Sequence, residues 1–195
     1  KWRDTHTQNV WKTLKERTSE KNMTSWKDLS IDSVQNMSFS FWIYFIEKKD
    51  QFRKNHTKIF NITMPDYPFI SVVAMKRRPV LSIAVRSKNG IEFEKMRFTH
   101  RSDMIGGNEI GYNHTATFVV ISIENSIVNL YLNGEWKNSF GRSPIVTPAN
   151  NAKLDFGNRS DSILIKDFRV YNHAIISMDN RILYQKIKSD GYLDY

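Results

Sequence analysis

The chain has 195 residues, a length that suits one large all-β domain; 40% hydrophobic and 13% aromatic residues can pack a core while 25% charged residues solvate the surface. With no cysteine, disulfide scaffolds and thiolate metal sites are excluded, and stability has to come from packing. The 29 Lys and Arg against 20 Asp and Glu give a formal charge of +9, which favours anionic neighbours, although the basic residues are scattered from Lys1 to Lys188 as solvated faces would be.

No run of about 18 apolar residues marks a membrane-spanning helix, and no apolar core of a signal peptide is visible. The chain begins at Lys1 instead of Met, which leaves room for an upstream signal or membrane anchor. Residues 1–28 read as a basic arm, in which Thr7 to Lys21 is compatible with a short helix carrying Val10, Trp11 and Leu14 on one side. That stripe is too thin to stabilise an isolated helix, so the arm is expected to dock on something other than its own sandwich core, with the domain proper spanning 29–195.

From Met37 the period changes to two. Phe39, Phe41, Ile43 and Phe45 fall on one face, and Ser38, Ser40, Trp42 and Tyr44 on the other, a second face that is unusually aromatic for one that meets only water. A charged loop, Glu47 to Lys58, leads to short strands at Ile59 to Thr63 and Phe69 to Met75, punctuated by Pro65 and Pro68. Val80 to Val85 alternates, Asn89-Gly90 turns, and Ile91 to Phe93 returns as a hairpin. Phe118 to Ile123 and Ile127 to Leu132 repeat that grammar around Glu124-Asn125-Ser126, and Asn133-Gly134 turns again. Ser162 to Tyr171 reads as a last strand, and Ser177 caps a short helix through Lys188 bearing Ile182, Leu183 and Ile187. Many short strands with regular turns and one helix predict an all-β, two-sheet antiparallel jelly-roll sandwich.

Three blocks carry a family resemblance. Phe118 to Trp136, ending Leu-Tyr-Leu-Asn-Gly-Glu-Trp, resembles the paired strands of laminin-G-like domains; Ile165-Lys-Asp-Phe-Arg-Val-Tyr-Asn-His-Ala-Ile175 resembles their closing strand; and Phe39 to Tyr44 resembles their early strand. The blocks occur in family order, over roughly residues 30 to 188. The chain is thus similar to the concanavalin-A-like lectin and glucanase superfamily. Lys58-Ile59-Phe60 after the early strand also resembles lectin-like structural proteins of large DNA viruses. The superfamily holds lectins, adhesion modules, glucanases and assembly proteins, so the resemblance implies a fold and leaves the activity to local chemistry.

That chemistry is sparse. The related glucanases carry E-x-D-x-x-E, whereas Ile91-Glu-Phe-Glu-Lys95 offers only Glu92 and Glu94 on one strand face, short of the two-carboxylate arrangement hydrolysis needs. His6, His56, His100, His114 and His173 have no metal-ligand spacing, and Asp155, Asn158 and Asp161, potential oxygen ligands for Ca²⁺, are better explained as Asx turns. Phosphate-loop, dinucleotide and nucleophile-elbow motifs are missing, and Lys76-Arg77-Arg78 comes with no nucleic-acid reading motif. Asn-x-Ser/Thr triplets at Asn22, Asn36, Asn55, Asn61, Asn113 and Asn158 would be glycan acceptors in a secretory lumen, but such triplets also arise by chance in an Asn- and Ser/Thr-rich chain.

The expectation is a non-enzymatic, lectin-like structural or binding module, working without a cofactor or metal in a large assembly such as a virion shell or at a cell surface. A soluble carbohydrate-binding lectin or adhesion module is the alternative, and a glucanase the third reading. Partners are proteins of the assembly or a glycan. Alternation places Trp42, Tyr44, Asn129, Tyr131, Arg169 and Tyr171 on one outward sheet face, either as a stacking or docking site or as a second core beneath a covering loop or arm.

Overall fold

The computed structural model describes residues 2–4, 12–13, 35–45, 56–63, 68–75, 80–88, 90–97, 116–141, 143–146, 152–156 and 163–189. The strands are β1 (Trp2–Asp4), β2 (Lys12–Thr13), β3 (Asn36–Phe45), β4 (His56–Thr63), β5 (Pro68–Met75), β6 (Val80–Ser87), β7 (Gly90–Arg97), β8 (Thr117–Glu124), β9 (Ile127–Leu132), β10 (Glu135–Phe140), β11 (Lys153–Phe156) and β12 (Ile163–Tyr171), followed by the helix α1 (Ser177–Ser189). Among the described residues they form two antiparallel sheets, one in the order β1-β12-β3-β8-β9-β10 with β2 also on β12, the other β11-β4-β5-β6-β7. This is a jelly-roll-like β-sandwich.

The period-two pattern decides which faces meet. Phe39 and Phe41 of β3 point into the sandwich with Phe60 of β4 and Phe168 of β12; ring centroids lie 5.3 Å apart for Phe39 and Phe60 and 4.9 Å for Phe60 and Phe168. Phe156 of β11 closes edge-on against Phe168 at 4.9 Å. Inward-facing Ile, Leu and Val from both sheets complete this core, Leu130 and Val170 among them. Two-residue turns join β8 to β9 and β9 to β10, with positive φ at Asn125 and Ser126 (47° and 73°) and at Asn133 and Gly134 (50° and 81°), the handedness that matches strand twist.

A bulge in β12 resets its phase. Lys166 pairs with Trp42 but Arg169 with Ser40, so one extra residue is inserted, and Asp167 takes a left-handed φ of 53° that Asp tolerates. Ile163 and Ile165 therefore face the core before the bulge, and Phe168 and Val170 after it.

Two stretches of the N-terminal segment are described, both as short strands. Trp2–Asp4 pairs with Arg169 to Tyr171, and Lys12–Thr13 pairs with Leu164 and Ile165, so both stretches add to the outer edge of β12 in the protein's own sheet. An uncovered edge strand leaves a row of backbone donors and acceptors to satisfy, and these two stretches pair with β12 at 164–165 and 169–171. Within the expected helix Thr7 to Lys21, Lys12 and Thr13 are strand; its other residues, and the boundary near residue 28, lie outside the described residues.

Candidate functional site

The outward face of the larger sheet carries the six residues singled out from the sequence. Register aligns Tyr171, Ser38, Ser122, Asn129 and Ser139 in one row across β12, β3, β8, β9 and β10, and Arg169, Ser40, Val120, Tyr131 and Trp136 in the next. Lys166, Trp42 and Phe118 follow, with Leu164 and Tyr44 beyond. The structure thus gives the six one face, but it divides them between two environments.

Half of this face is sealed. Trp42, Phe118, Val120, Tyr131, Tyr171 and Ile175 form a second, smaller core against which Leu183 and Tyr184 of α1 pack. Trp42 is fully buried, its ring 5.1 Å from Phe118 and 6.2 Å from Tyr184. The cover is the C-terminal helix and the turn leading into it. Two buried serines hold that turn: the Ile175 N–H donates to Ser38 Oγ and Ser122 Oγ at 2.9 Å each, and Ser38 Oγ donates to the His173 carbonyl at 2.9 Å. Asn133 accepts the Phe118 N–H on its side-chain oxygen at 2.9 Å while its own N–H donates to Phe118 O at 2.8 Å. The turn it begins runs close under the helix, since a Cβ on Gly134 would lie 3.0 Å from Tyr184 Cβ and 3.3 Å from Arg181 Cα.

Among the charged neighbours of this core, Asp167 is met on one oxygen only, its Oδ2 being buried without a hydrogen-bond partner. Arg169 Nε donates to Asp167 Oδ1 at 2.7 Å, and the Asp167 side chain is only 4% exposed, so Arg169 holds a buried carboxylate. Tyr171 OH lies 3.2 Å from Ser40 Oγ. Burial pushes the Tyr171 phenol above its ordinary value, opposed by the Ser40 hydrogen bond and by Arg169. Burial also lowers the Lys166 ammonium, with Asp167 pulling the other way.

The other half of the face is open, along β9 and β10. A second bulge, between Trp136 and Asn138, sets Trp136 beside Tyr131 and Ser139 beside Asn129, so an i, i+3 pair shares one side of the strand. The Trp136 indole N–H donates to Ser139 Oγ at 2.9 Å, and Ser139 Oγ donates to Asn129 Oδ1 at 2.6 Å. Trp136 is 55% exposed. Period-two counting misses it, because the extra residue breaks the alternation of Glu-Trp-Lys-Asn-Ser-Phe; its position two residues after Asn-Gly was the available signal. Ile176, Met178 and Ile182 are exposed on α1 and its entry, with Met178 and Ile182 one helical turn apart.

Catalytic and metal readings find little here. Asp155 is in strand β11 and not in a turn, paired with Asn61 and with its carboxylate 3.5 Å from Lys58 Nζ; Asn158 and Asp161, like the side chains of Glu92 and Glu94, lie outside the described residues. Among the described residues no three His, Cys, Asp or Glu gather as a metal site, and no helix is long and apolar enough to cross a membrane.

No protein-family model matches the chain, and no curated protein sequence does. Solved structures do. The botulinum neurotoxin type G receptor-binding domain superposes with a TM-score of 0.61 at 18% identity, over 78% of this chain and 38% of that one. The binding domain of serotype D gives 0.60 at 19%, over 78% and 37%. The binding domain of neurotoxin DC, solved in complex with rat synaptotagmin II, gives 0.60 at 14%, over 82% and 38%. The likeness is one of fold. This chain spans well under half the length of each of these neighbours.

Proposed function

We propose that the protein is a non-enzymatic recognition module, a member of the concanavalin-A-like superfamily with laminin-G-like strands, whose working surface is the border where β10 meets α1. One observation carries the reading. Of the six large hydrophobic residues exposed among the described residues, four, Trp136, Ile176, Met178 and Ile182, are on β10 and on α1 or its entry, elements joined by the close approach of Gly134 to the helix. A monomer rarely leaves such residues together without a partner for them. The fold neighbours are named as receptor-binding domains, one of them solved in complex with rat synaptotagmin II, which supports a protein partner; a glycan is the other partner the superfamily resemblance implies. The finer setting, a component of a virion shell or of a cell-surface layer, rests on the resemblance to lectin-like viral proteins and on the +9 charge.

The test is binding of fluorescent full chain to cultured animal cells, beside the variants Met178→Asp and Ile182→Asp. Wild type is expected to bind, and each variant to bind at least about tenfold less with an unchanged melting temperature, as loss of an interface anchor gives. No binding by wild type, or equal binding by both variants, refutes the surface. Release of reducing sugar from a β-glucan, abolished in Glu92→Gln or Glu94→Gln, refutes the non-enzymatic reading.

A further inference from the structure

The bulge in β10 builds something more specific than an apolar border. The indole N–H of Trp136 is tied to Ser139, so the ring is held in one orientation with more than half of the residue in solvent. Having accepted that proton, the Ser139 hydroxyl directs its own to Asn129 Oδ1. The relay fixes the Asn129 amide as well, since its oxygen is taken and its NH₂ is left as the donor end. Among the described residues the amide protons of Asn129 have no partner. A flat aromatic face thus stands beside an oriented amide donor, both held before any ligand arrives.

Glu135 and Lys137, on either side of Trp136 in the chain, pair with each other at 2.7 Å, so neither is an unpaired charge awaiting a charged ligand. The chemistry that matches is a neutral pyranose. Its C–H face covers an indole, its ring hydroxyls accept from an amide, and it needs no counter-charge. We propose that Trp136, Ser139 and Asn129 form a saccharide-stacking site, in which Trp136 and Asn129 touch the sugar and Ser139 is the positioning residue between them. This rests on the binding-module reading and narrows it. Such a site is shallow, so affinity for one ring is in the millimolar range and rises with repeated presentation.

The experiment is saturation-transfer NMR and titration calorimetry of the full chain against neutral cellotriose, maltotriose, chitotriose and N-acetyllactosamine, with sialyllactose as the charged comparison. At least one neutral sugar is expected to bind. Trp136→Ala should weaken it tenfold or more with no change in melting temperature, and Trp136→Phe should keep affinity within about threefold, because it retains a stacking face. Asn129→Asp, which keeps the acceptor for Ser139 and removes the donor, should weaken binding about fivefold or more. The proposal is overturned if no neutral sugar binds, if Trp136→Ala binds as well as wild type, or if binding needs the sialic acid. Should wild type ignore every sugar yet still bind cells through Met178 and Ile182, the saccharide site falls while the recognition module stands.

Discussion

Replacing Trp42 tests whether the aromatic face of β3 is a core or a site, and two substitutions separate the contributions. Trp42→Ala removes a fully buried indole packed at tilted angles against both Phe118 and Tyr184, and with it the floor on which α1 rests. Large aromatic to alanine changes of this kind cost about 3 to 5 kcal/mol. In a domain of this size each kcal/mol is worth about 2 to 4 °C, so a melting-temperature fall of roughly 6 to 20 °C is expected by calorimetry. Trp42→Phe should cost far less. The Trp42 N–H is buried without a hydrogen-bond partner, a condition that itself costs about 1 to 3 kcal/mol. Phenylalanine gives up part of the ring but also that orphaned donor, so a net change within about 1 kcal/mol follows from the two opposing terms. If Trp42→Ala melts like wild type, the face is not a second core. If Trp42→Phe costs as much as Trp42→Ala, the indole N–H has a partner and the reasoning about it fails.

Three further outcomes follow from the same region. Gly134→Ala puts a Cβ 3.0 Å from Tyr184 Cβ at a φ of 81°, so a loss of about 1 to 2 kcal/mol from conformation alone is expected, plus the displacement of α1, read by urea unfolding. Ser38→Ala and Ser122→Ala should each be mild, because the Ile175 N–H keeps one acceptor, whereas the double variant strands it and should lose more than the sum of the singles in a double-mutant cycle. Finally, Tyr171 has its folded phenol pKa raised above the ordinary value of about 10, chiefly by burial, so the folded state holds this proton more tightly than the unfolded chain does. Its contribution is complete below pH 10 and is lost as pH rises through the folded value; in Tyr171→Phe the alkaline decline in melting temperature should be shallower, and an identical profile would refute the assignment.

The sandwich was legible because its strands alternate cleanly. Phe39, Phe41 and Ile43 against Ser38, Ser40 and Trp42 put the core on one side of β3 from residue types alone, and the two Asn-containing turns that flank β9 occupy the positions where the strands end. Even the β12 bulge left a trace, in the shift of apolar residues from 163 and 165 to 168 and 170. The shared face of the six chosen residues was legible for the same reason. Their separation was not. What covers Trp42, Tyr131 and Tyr171 is a helix whose inward side chains, Leu183 and Tyr184, form no strong stripe, and its docking is set by Gly134 and the two serines, contacts distant in the chain. Trp136 was hidden by one inserted residue, and β1, β2 and β11 by their brevity, since two to four residues carry no measurable period.

The clasp between Ser38 and Ile175 joins residues 137 positions apart. During synthesis the outer side of β3 therefore emerges long before anything that can cover it. At about 5 to 20 residues per second, the delay is on the order of 10 s. Through that interval Trp42, joined by Phe118 once that residue is made, faces the solvent of a crowded cell as a greasy, strand-backed surface, the kind of transient exposure that chaperones recognise. Arrested nascent chains that stop before Ile175 should accordingly draw such factors, and chains long enough to lay down α1 should shed them.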